Sequence, residues 1–366
     1  MKYLLLHKFI IISSIILFHS LSMADTGENS LFYYEMNMFQ GFSEREGFFG
    51  RGNDSSKSIG IENFRKFSGD YGDWLTTDIQ LRLAYNSDNP LSEDRIGTGD
   101  PERDALDIEI HNAYGRFKLL YGKADIWVGH YEAAFGQEPQ LDTYPTILQT
   151  INMKNIGFKK DWGAGIKGVF TGWDYHLTAT LGSGMGMHFK GNYLLSGRIG
   201  FSETALTDYN FGLSILYGDV VNTTGGRKLS SDNLIVKKRI GIDATYFYRS
   251  FDIKGEIDYG TDNDKSALQA HDVFGTWLQV SYVLPEYQKL HIEVQQENWF
   301  YEFSQRERYD SAITAGFSYK LNGAIYLRFY GVRDLHLISG NLDNRIMVQY
   351  YYYYPTAGRL FDFKPE

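Results

Sequence analysis

The chain has 366 residues, of which 43% are hydrophobic, 16% are aromatic and 22% are charged, and its formal net charge is −9. It contains no cysteine, which excludes disulfides, thiolate metal sites, a cysteine nucleophile and haem attached through cysteine. The acidic balance argues against a nucleic-acid partner. Mean hydropathy is −0.34 despite 28 Tyr and 25 Phe, so the aromatic residues do not indicate a helical membrane protein.

Residues 1–24 have the features of a secretory signal peptide. Lys2 and Lys8 accompany an apolar run over residues 9–18, and the small-residue cleavage site at residues 22–24 follows. The alternative, an uncleaved anchor helix, is disfavoured because the run is shorter than the roughly 20 residues that span a bilayer. We therefore expect a secreted chain that starts after the alanine at the end of this site.

Residues 25–366 show the period-2 alternation of amphipathic strands from end to end. Between Phe251 and Tyr259, one face carries Phe, Ile, Gly, Ile and Tyr, and the other carries only charges. Aromatic residues mark many strand ends, as at the two lipid–water boundaries of a transmembrane barrel. In chain order, the predicted strands cover residues 31–42, 59–69, 74–86, 105–120, 124–131, 156–170, 173–182, 192–201, 208–218, 237–249, 251–260, 273–284, 289–301, 310–320, 324–333 and 344–354.

The connections between these strands alternate in length. The long ones cover residues 42–58, 86–104, 132–155, 182–191, 219–236, 261–272, 302–309 and 334–343. Long loops on one side, short turns on the other and an even strand number are the topology of a single-chain outer-membrane barrel. The sequence therefore predicts one all-β domain over residues 25–366, a transmembrane antiparallel up-and-down β-barrel of about 16 strands.

Two details of the predicted barrel stay open. The alternation breaks phase at residues 112–116, and either a β-bulge or a misplaced strand explains the break. At the C-terminus, either residues 350–354 close the barrel and a short tail follows, or the final strand reaches Phe363.

The polar face of the strands is the predicted lining of the lumen. It is rich in charge, and a barrel of about 16 strands is too wide to be filled by its own side chains, so we expect water-filled space. The predicted pore-lining residues are Asp78, Arg82, Glu109, His111, Lys159, Lys167, Asp174, Arg198, Arg239, Asp252, Lys254, Glu256, Glu293 and Arg328.

The third long connection is more apolar than the others between residues 132 and 150. We expect it to fold into the lumen and to narrow the pore; the alternative is a loop packed on the barrel rim. The predicted constriction residues are Glu132, Phe135, Glu138, Asp142 and Tyr144. The acidic members lower the energy of a cation near them, which predicts a slight preference for cations.

Residues 128–131, Val-Gly-His-Tyr, followed by Phe135-Gly136, resemble the strand and loop segment of the phosphate-selective porin O/P-like outer-membrane porins. The order of long and short loops is similar to that family as well. The resemblance implies a pore of sixteen strands that the third loop constricts and in which basic side chains select anions. This chain departs from the family, because its third loop carries only acidic charges up to Lys154 and shows no ladder of lysines.

The leading hypothesis is a porin of the Gram-negative outer membrane, without enzymatic activity, cofactor or metal, that passes small hydrophilic solutes or ions by diffusion. Its partners are then outer-membrane lipid and the solutes, and a homotrimer is left open. The alternative is a sheath around a periplasmic multihaem cytochrome, with every haem on the partner because this chain lacks cysteine. An outer-membrane hydrolase is less favoured, because neither G-x-S-x-G nor H-E-x-x-H is present.

Overall fold

The computed structural model describes residues 30–45, 55–69, 72–86, 106–137, 146–201, 208–224, 228–264, 269–304, 308–338, 340 and 342–357. Within these residues, sixteen strands form a closed antiparallel barrel, in which successive strands pair and β1 pairs with β16. The prediction of a sixteen-stranded all-β barrel is therefore confirmed. The predicted signal peptide lies outside the described residues.

The strands run in chain order around the barrel. They are β1 (Ser30–Ser43), β2 (Ser55–Gly69), β3 (Gly72–Asn86), β4 (Leu106–Leu119), β5 (Ala124–Glu132), β6 (Lys160–Phe170), β7 (Trp173–Thr180), β8 (Tyr193–Phe201), β9 (Tyr209–Thr224), β10 (Lys228–Tyr248), β11 (Phe251–Asp264), β12 (Gln269–Val283), β13 (Leu290–Phe300), β14 (Tyr309–Lys320), β15 (Ile325–His336) and β16 (Asn344–Ala357). A 3₁₀ turn covers Leu120–Gly122, and one short helix, α1, covers Asn152–Asn155. Among the described residues, no helix has the length and apolarity that crossing a membrane requires.

A β-bulge explains the break in alternation on β4. Gln80 of β3 pairs with Asn112, and the next residue, Leu81, pairs with Ile110. His111 is therefore the extra residue of the bulged strand, and the side chains before and after it change faces relative to a regular strand. Of the two explanations for the phase break, the bulge is confirmed.

Two connections are shorter than the sequence predicts. The segment 219–236, expected to be a long loop, is mostly strand, because β9 continues to Thr224 and β10 begins at Lys228. The expected loop 261–272 is likewise shortened by β11 and β12. Backbone pairing continues there although the apolar alternation has stopped. Strand pairing needs only the backbone groups, so it does not require an apolar face.

The ends of the barrel and of its third connection also differ in detail from the prediction. The final strand extends past residue 354 to Ala357, which pairs with Leu31 of β1, and residues 358–366 lie outside the described part. In the third connection, β5 ends at Glu132 and β6 begins only at Lys160. Lys159, predicted to lie on a pore-lining strand, therefore belongs to the connection, because α1 takes the residues before it out of the sheet.

Candidate functional site

The two faces of the barrel wall differ in chemistry. On β11, Ile257 is 53% exposed and Tyr259 is 44% exposed, whereas Glu256 and Asp258 between and beside them are buried. Side chains on the convex outer face of a barrel are not covered by any other part of the wall, whereas side chains on the inner face are covered by the elements opposite them. The buried polar row therefore faces the interior, and the interior is the candidate functional site.

Arg198 of β8 is a buried cation that joins strands of the inner wall. Its guanidinium donates from Nε and Nη2 to both carboxylate oxygens of Asp243 at 3.0 and 2.7 Å, and from Nη1 to Asp174 at 3.2 Å. A third acceptor, the Asn210 side chain, lies 3.1 Å from Nη2. Burying a charge costs several kcal/mol unless it is paired, so these carboxylates are what allow an arginine here. The charge of Arg198 is neutralised within the wall.

Arg82 is neutralised in the same way on the other side of the barrel. Its Nε and Nη2 donate to the two carboxylate oxygens of Glu35 on β1, and both side chains are 1% exposed. Gln80 and Tyr351 also donate to Glu35, at 3.1 and 3.0 Å. The bidentate geometry is the strong form of an arginine–carboxylate contact. Arg82 therefore acts within the wall and is not a free anion-binding group.

The connection between β5 and β6 contacts side chains of distant strands. Its first part, residues 133–137, is called the outgoing arm here. The backbone N–H of Ala134 donates to Ser196 Oγ of β8 at 3.0 Å, and that of Gly136 donates to Ser214 Oγ of β9 at 3.0 Å.

The outgoing arm continues to the next two strands. The N–H of Gln137 donates to Glu256 Oε2 on β11 at 2.9 Å, and its side-chain amide donates to Thr245 Oγ1 on β10 at 2.9 Å. Successive arm residues thus contact successive strands, from β8 to β11.

The later part of the connection, residues 146–158, is called the returning arm. Gln295 of β13 donates to the carbonyl oxygen of Gln149 at 2.5 Å, and Lys154 forms an ion pair with Glu297 of the same strand at 2.8 Å. The contacts run in the opposite order from those of the outgoing arm, since early residues of this arm reach β13 and later ones reach strands nearer to β6.

Asn155, at the end of α1, joins two strands through one side chain. Its Nδ2 donates to Asp258 Oδ2 at 2.7 Å, and its Oδ1 accepts from Arg239 Nε at 2.6 Å. The backbone oxygen of Asn155 also accepts from Lys237 Nζ at 3.1 Å. Asn155 is fully buried, so each of these bonds offsets the cost of removing a polar group from water. Asn155 is therefore the main polar anchor of the returning arm.

Apolar contacts accompany these hydrogen bonds. Phe135 and Phe158, one from each arm, are buried together with Leu194, Leu216 and Val220 of β8 and β9. Farther along the returning arm, Ile151 packs with two tryptophans and a valine of β12 and β13. Burial of one such side chain contributes roughly 1.5–3 kcal/mol. The two arms are therefore held by packing as well as by polar contacts.

Small residues on the wall, and Gly136 on the outgoing arm, leave room between the two. A Cβ at Gly241 of β10 would lie 2.9 Å from Cζ of Phe135, and a Cβ at Gly136 would collide with the carboxylate of Glu256. Gly136 has φ +60°, a conformation that a glycine adopts without penalty. Ser196 and Ser214 combine small size with a hydroxyl that accepts an arm N–H. These residues carry no charge, so counting charges on the predicted inner faces misses them; their small size on strands that otherwise carry bulky residues is the available signal.

The predicted constriction residues fall into two groups. Glu132 is the last residue of β5 and Phe135 is a fully buried member of the outgoing arm. Glu138, Asp142 and Tyr144 lie outside the described residues.

The predicted pore-lining residues are more enclosed than expected. Half of them are buried, namely Asp78, Arg82, Glu109, Arg198, Arg239, Glu256 and Arg328. The others are half-buried, namely His111, Lys159, Lys167, Asp174, Asp252, Lys254 and Glu293. Ion pairs such as Asp252–Lys254 and the packing of the two arms explain why the charges are enclosed rather than fully solvated.

The wall over β3, β4 and β6 carries a second polar network. Lys160 Nζ donates to His111 Nε2 and to Asn112 Oδ1, both at 2.7 Å. Asn112 Nδ2 in turn donates to Asp78 Oδ2 at 2.9 Å. This network ties the residues at the bulge of β4 to both neighbouring parts of the wall. In the part of the chain that the structure describes, no group of three or more His, Asp and Glu side chains is arranged to hold a metal ion.

No protein-family model matches the sequence, and no characterised protein matches it by sequence. Solved structures do match the fold. The anion-selective porin of Comamonas acidovorans has a TM-score of 0.59 at 10% identity, covering 89% of this chain and 100% of that one. Salmonella typhi OmpF in complex with daunomycin has a TM-score of 0.58 at 10% identity, covering 90% and 98%. The trimer form of Vibrio cholerae OmpT has a TM-score of 0.60 at 10% identity, covering 89% and 100%.

These similarities cover nearly the whole of the described barrel. At 10% identity they establish the fold, which is that of the outer-membrane porins. The narrower resemblance to the phosphate-selective family stays a prediction.

Proposed function

We propose that the chain is an outer-membrane porin that passes small hydrophilic solutes or ions by diffusion. The observation that carries this proposal is the closed sixteen-stranded barrel with exposed apolar side chains outside and polar side chains inside, in a fold shared with porins. Apolar residues on the outer face suit contact with lipid, and a polar interior suits water. The predicted signal peptide, residues 1–24, supplies the route of export.

The connection between β5 and β6 is the proposed constriction. Contacts of both arms with side chains of β8 to β13 support an inward position for it. Residues 138–145 join the two arms, so the acidic and aromatic members Glu138, Asp142 and Tyr144 would border the narrowest part together with Glu132. A constriction of this composition lowers the barrier for cations more than for anions.

The pairing of arginines supports weak cation preference over phosphate selection. Arg82, Arg198 and Arg239 each bind a carboxylate within the wall, so their positive charge does not extend freely into the lumen. Selection of phosphate requires basic side chains that present unpaired donors to the solute. The resemblance to the phosphate-selective family therefore extends to the proposed architecture and not to the proposed selectivity.

Porin function is favoured over a cytochrome sheath for a physical reason. In the proposed inward position, the two arms take up space that a haem protein inside the barrel would need. We further propose that the chain is not an enzyme. A homotrimer is a hypothesis consistent with the trimeric form of the Vibrio cholerae neighbour.

Recording from single channels in a planar lipid bilayer tests the proposal. We expect stepwise conductance and, in a KCl gradient, a small reversal potential of the sign for K⁺ preference. Charge removal at Glu132, Glu138 and Asp142 by amide substitution should shift this potential toward zero. Glu286→Gln, in a short turn between β12 and β13, is the control. Absence of stepwise conductance would overturn the proposed porin function. A clear Cl⁻ preference would overturn the proposed cation preference and support the anion selectivity that the family resemblance implies.

A further inference from the structure

The two arms of the β5–β6 connection are bound by neighbouring carboxyl groups of β11. Glu256 Oε2 accepts the backbone N–H of Gln137 from the outgoing arm at 2.9 Å. Asp258 Oδ2 accepts from Asn155 Nδ2 of the returning arm at 2.7 Å. Glu256 and Asp258 are two residues apart on one strand, so they point to the same face, and they are only 2% and 1% exposed. These two residues, called the acid pair here, therefore hold one arm each.

Each member of the acid pair has a second oxygen that binds neither arm. Oε1 of Glu256 and Oδ1 of Asp258 are buried, and neither has a hydrogen-bond donor among the described residues. Both oxygens are packed against glycines, since a Cβ at Gly136 would collide with Oε1 and a Cβ at Gly241 would collide with Oδ1. A buried oxygen without a donor is costly, and two adjacent ionised carboxylates repel each other. The acid pair therefore requires a further partner.

One shared proton supplies that partner. A side-chain hydrogen bond joins the two carboxyl groups. An ionised carboxylate only accepts hydrogen bonds, so a bond between two carboxyl groups requires that one of them is protonated. A proton between Oε1 and Oδ1 pairs both oxygens at once and leaves Oε2 and Oδ2 to accept from the arms. The acid pair then carries one negative charge instead of two.

The charged groups around the acid pair are bound to other partners. The neighbouring cations each contact a different acceptor: Arg198 binds Asp243, Arg239 binds Asp262, Lys237 binds the backbone oxygen of Asn155, Lys254 binds Asp252, and Lys154 binds Glu297. Asp243 of β10 lies opposite Glu256 in the strand register and adds negative charge beside the pair. On β12, the residues opposite the pair are the uncharged Trp277 and Gly275, and Trp277 Nε1 donates to Glu256 Oε2 at 3.4 Å. These surroundings favour a shared proton over two ionised carboxylates.

We propose that Glu256 and Asp258 share one proton and that this proton positions both arms of the constriction. The inference rests on the proposed porin function. If hydroxide takes up the proton and forms water, the two carboxylates repel each other and their side chains move apart. The oxygens that bind the arms belong to these same side chains, so Oε2 and Oδ2 move away from Gln137 and Asn155. Glu256 and Asp258 are therefore positioning residues, and they make the constriction sensitive to alkaline pH.

The direction of the pH dependence follows from which state binds the proton. The state with bound arms holds the shared proton and the state with loosened arms does not. The bound state therefore prevails at neutral pH and is lost as the pH rises. Because one proton is involved, the equilibrium between the two states changes by at most about tenfold per pH unit. Loosened arms move within the pore, so the open-channel current becomes noisier.

Single-channel recording between about pH 6 and pH 10 tests the shared proton. In the wild-type channel, the frequency of current fluctuations should rise with pH, by up to about tenfold per pH unit. In Asp258→Asn, the amide oxygen accepts from Asn155 and the amide N–H donates permanently to Glu256 Oε1. This variant should keep a quiet current across the whole range. Glu256→Gln exchanges the roles of donor and acceptor and should behave in the same way.

Asp252 provides the matched control on the same strand. It lies on the same face of β11 as the acid pair, and its carboxylate forms an ion pair with Lys254. Asp252→Asn removes one negative charge from this face and leaves the acid pair intact. Its current fluctuations should rise with pH as in the wild type. A general effect of charge would instead flatten the pH profile of Asp252→Asn and Asp258→Asn equally.

Infrared spectra of the purified protein observe the proton directly, because the C=O stretch of a protonated carboxyl group is distinct from the stretches of a carboxylate. We expect a protonated-carboxyl band in the wild type at neutral pH that decreases in alkaline buffer. The band should lose the contribution of one carboxyl group in Asp258→Asn and retain it in Asp252→Asn. This measurement requires no channel activity, so it tests the pair even where a variant does not insert into a bilayer.

The shared proton is overturned if wild-type fluctuations do not change with pH, if Asp258→Asn follows the wild-type profile, or if both proteins show the same protonated-carboxyl band. It is also overturned if EDTA at neutral pH reproduces the fluctuations, because a metal ion would then hold the pair. The electrical outcomes concern a channel that conducts. Absence of conductance in the wild-type protein would instead contradict the proposed porin function.

Discussion

Two parts of the inner wall use their polar side chains differently. Along β8 to β13, serine, glutamate and aspartate side chains bind the two arms of the β5–β6 connection, as Ser196, Ser214 and Glu256 do. Around β15, β16 and β1, polar side chains bind tyrosines of the wall itself, as Glu62 binds Tyr353. The first region uses its hydrogen-bonding groups to position a loop, whereas the second uses them to hold tyrosine rings of the wall itself.

Charge on an inner face therefore does not by itself identify the residues that meet a solute. Arg198 is among the predicted lining residues, but its guanidinium is 2% exposed and bound to two carboxylates. Tyr33 and Tyr353 are uncharged, were not predicted as lining residues and remain half-buried at the inner surface. Substitutions in each of the two regions separate these roles.

Arg198→Met should cause the largest loss of stability. It leaves Asp243 buried without its bidentate partner and removes the hydrogen bond that Asp174 accepts from Arg198. Breaking a buried pair in this way costs about 3–5 kcal/mol. Urea unfolding of the barrel in lipid vesicles measures the change in free energy of unfolding. The double variant Arg198→Met/Asp243→Asn should recover part of the loss, and a cost below about 1 kcal/mol would refute the assigned role.

Gly136→Ala should have an intermediate effect, confined to the arm-bearing region. The added Cβ collides with Glu256 and meets a backbone φ of +60°. Overpacking of this kind costs about 1–3 kcal/mol beyond backbone strain. We expect lower resistance to urea and noisier single-channel current, because the outgoing arm is displaced.

Gly191→Ala is the control for backbone strain. Gly191 also has a positive φ, +80°, but nothing lies within 4 Å of the position of a Cβ. Its substitution should destabilise by the strain alone and leave current noise unchanged. Equal effects of the two substitutions would show that contact with Glu256 does not position the arm.

Tyr353→Phe should have the smallest effect. It removes the hydroxyl that donates to Glu62 but retains the ring stacked on Tyr33. One hydrogen bond at a half-buried site contributes about 1 kcal/mol, and conductance should stay close to wild type. Tyr354→Phe, on the outer face, is the matched control and should change stability less. A large change in conductance from Tyr353→Phe would mean that this hydroxyl, rather than the arms, controls the pore.

Local alternation allows most of the fold to be predicted. In a segment such as Phe251–Tyr259, residues of opposite character alternate because one face contacts lipid and the other does not, so strand number and facing follow directly from the sequence. The prediction is wrong where this contrast ends, as over residues 219–224 and 228–236, because these parts of β9 and β10 extend where neither face has to be apolar.

The candidate site is less accessible to prediction, because its contacts join residues far apart in the chain. Gln137 binds Glu256, 119 residues away, and Gln149 binds Gln295, 146 residues away. The alternation predicts that Glu256 faces inward, but it does not predict which group Glu256 contacts there. Asn155 illustrates the limit, since an uncharged residue between predicted elements becomes the principal anchor of an arm.

The position of the arms' partners in the chain has a consequence for assembly. The strands that hold the β5–β6 connection follow it in the chain: β8 to β13 form hydrogen bonds with it, and a buried cluster of β14, β15 and β16 packs against its Ile147. The connection cannot reach its final contacts until more than a hundred later residues have paired. Such long-range contacts slow folding, because the chain must be brought together before they contribute. The connection therefore completes its contacts only after the strands that hold it have been synthesised.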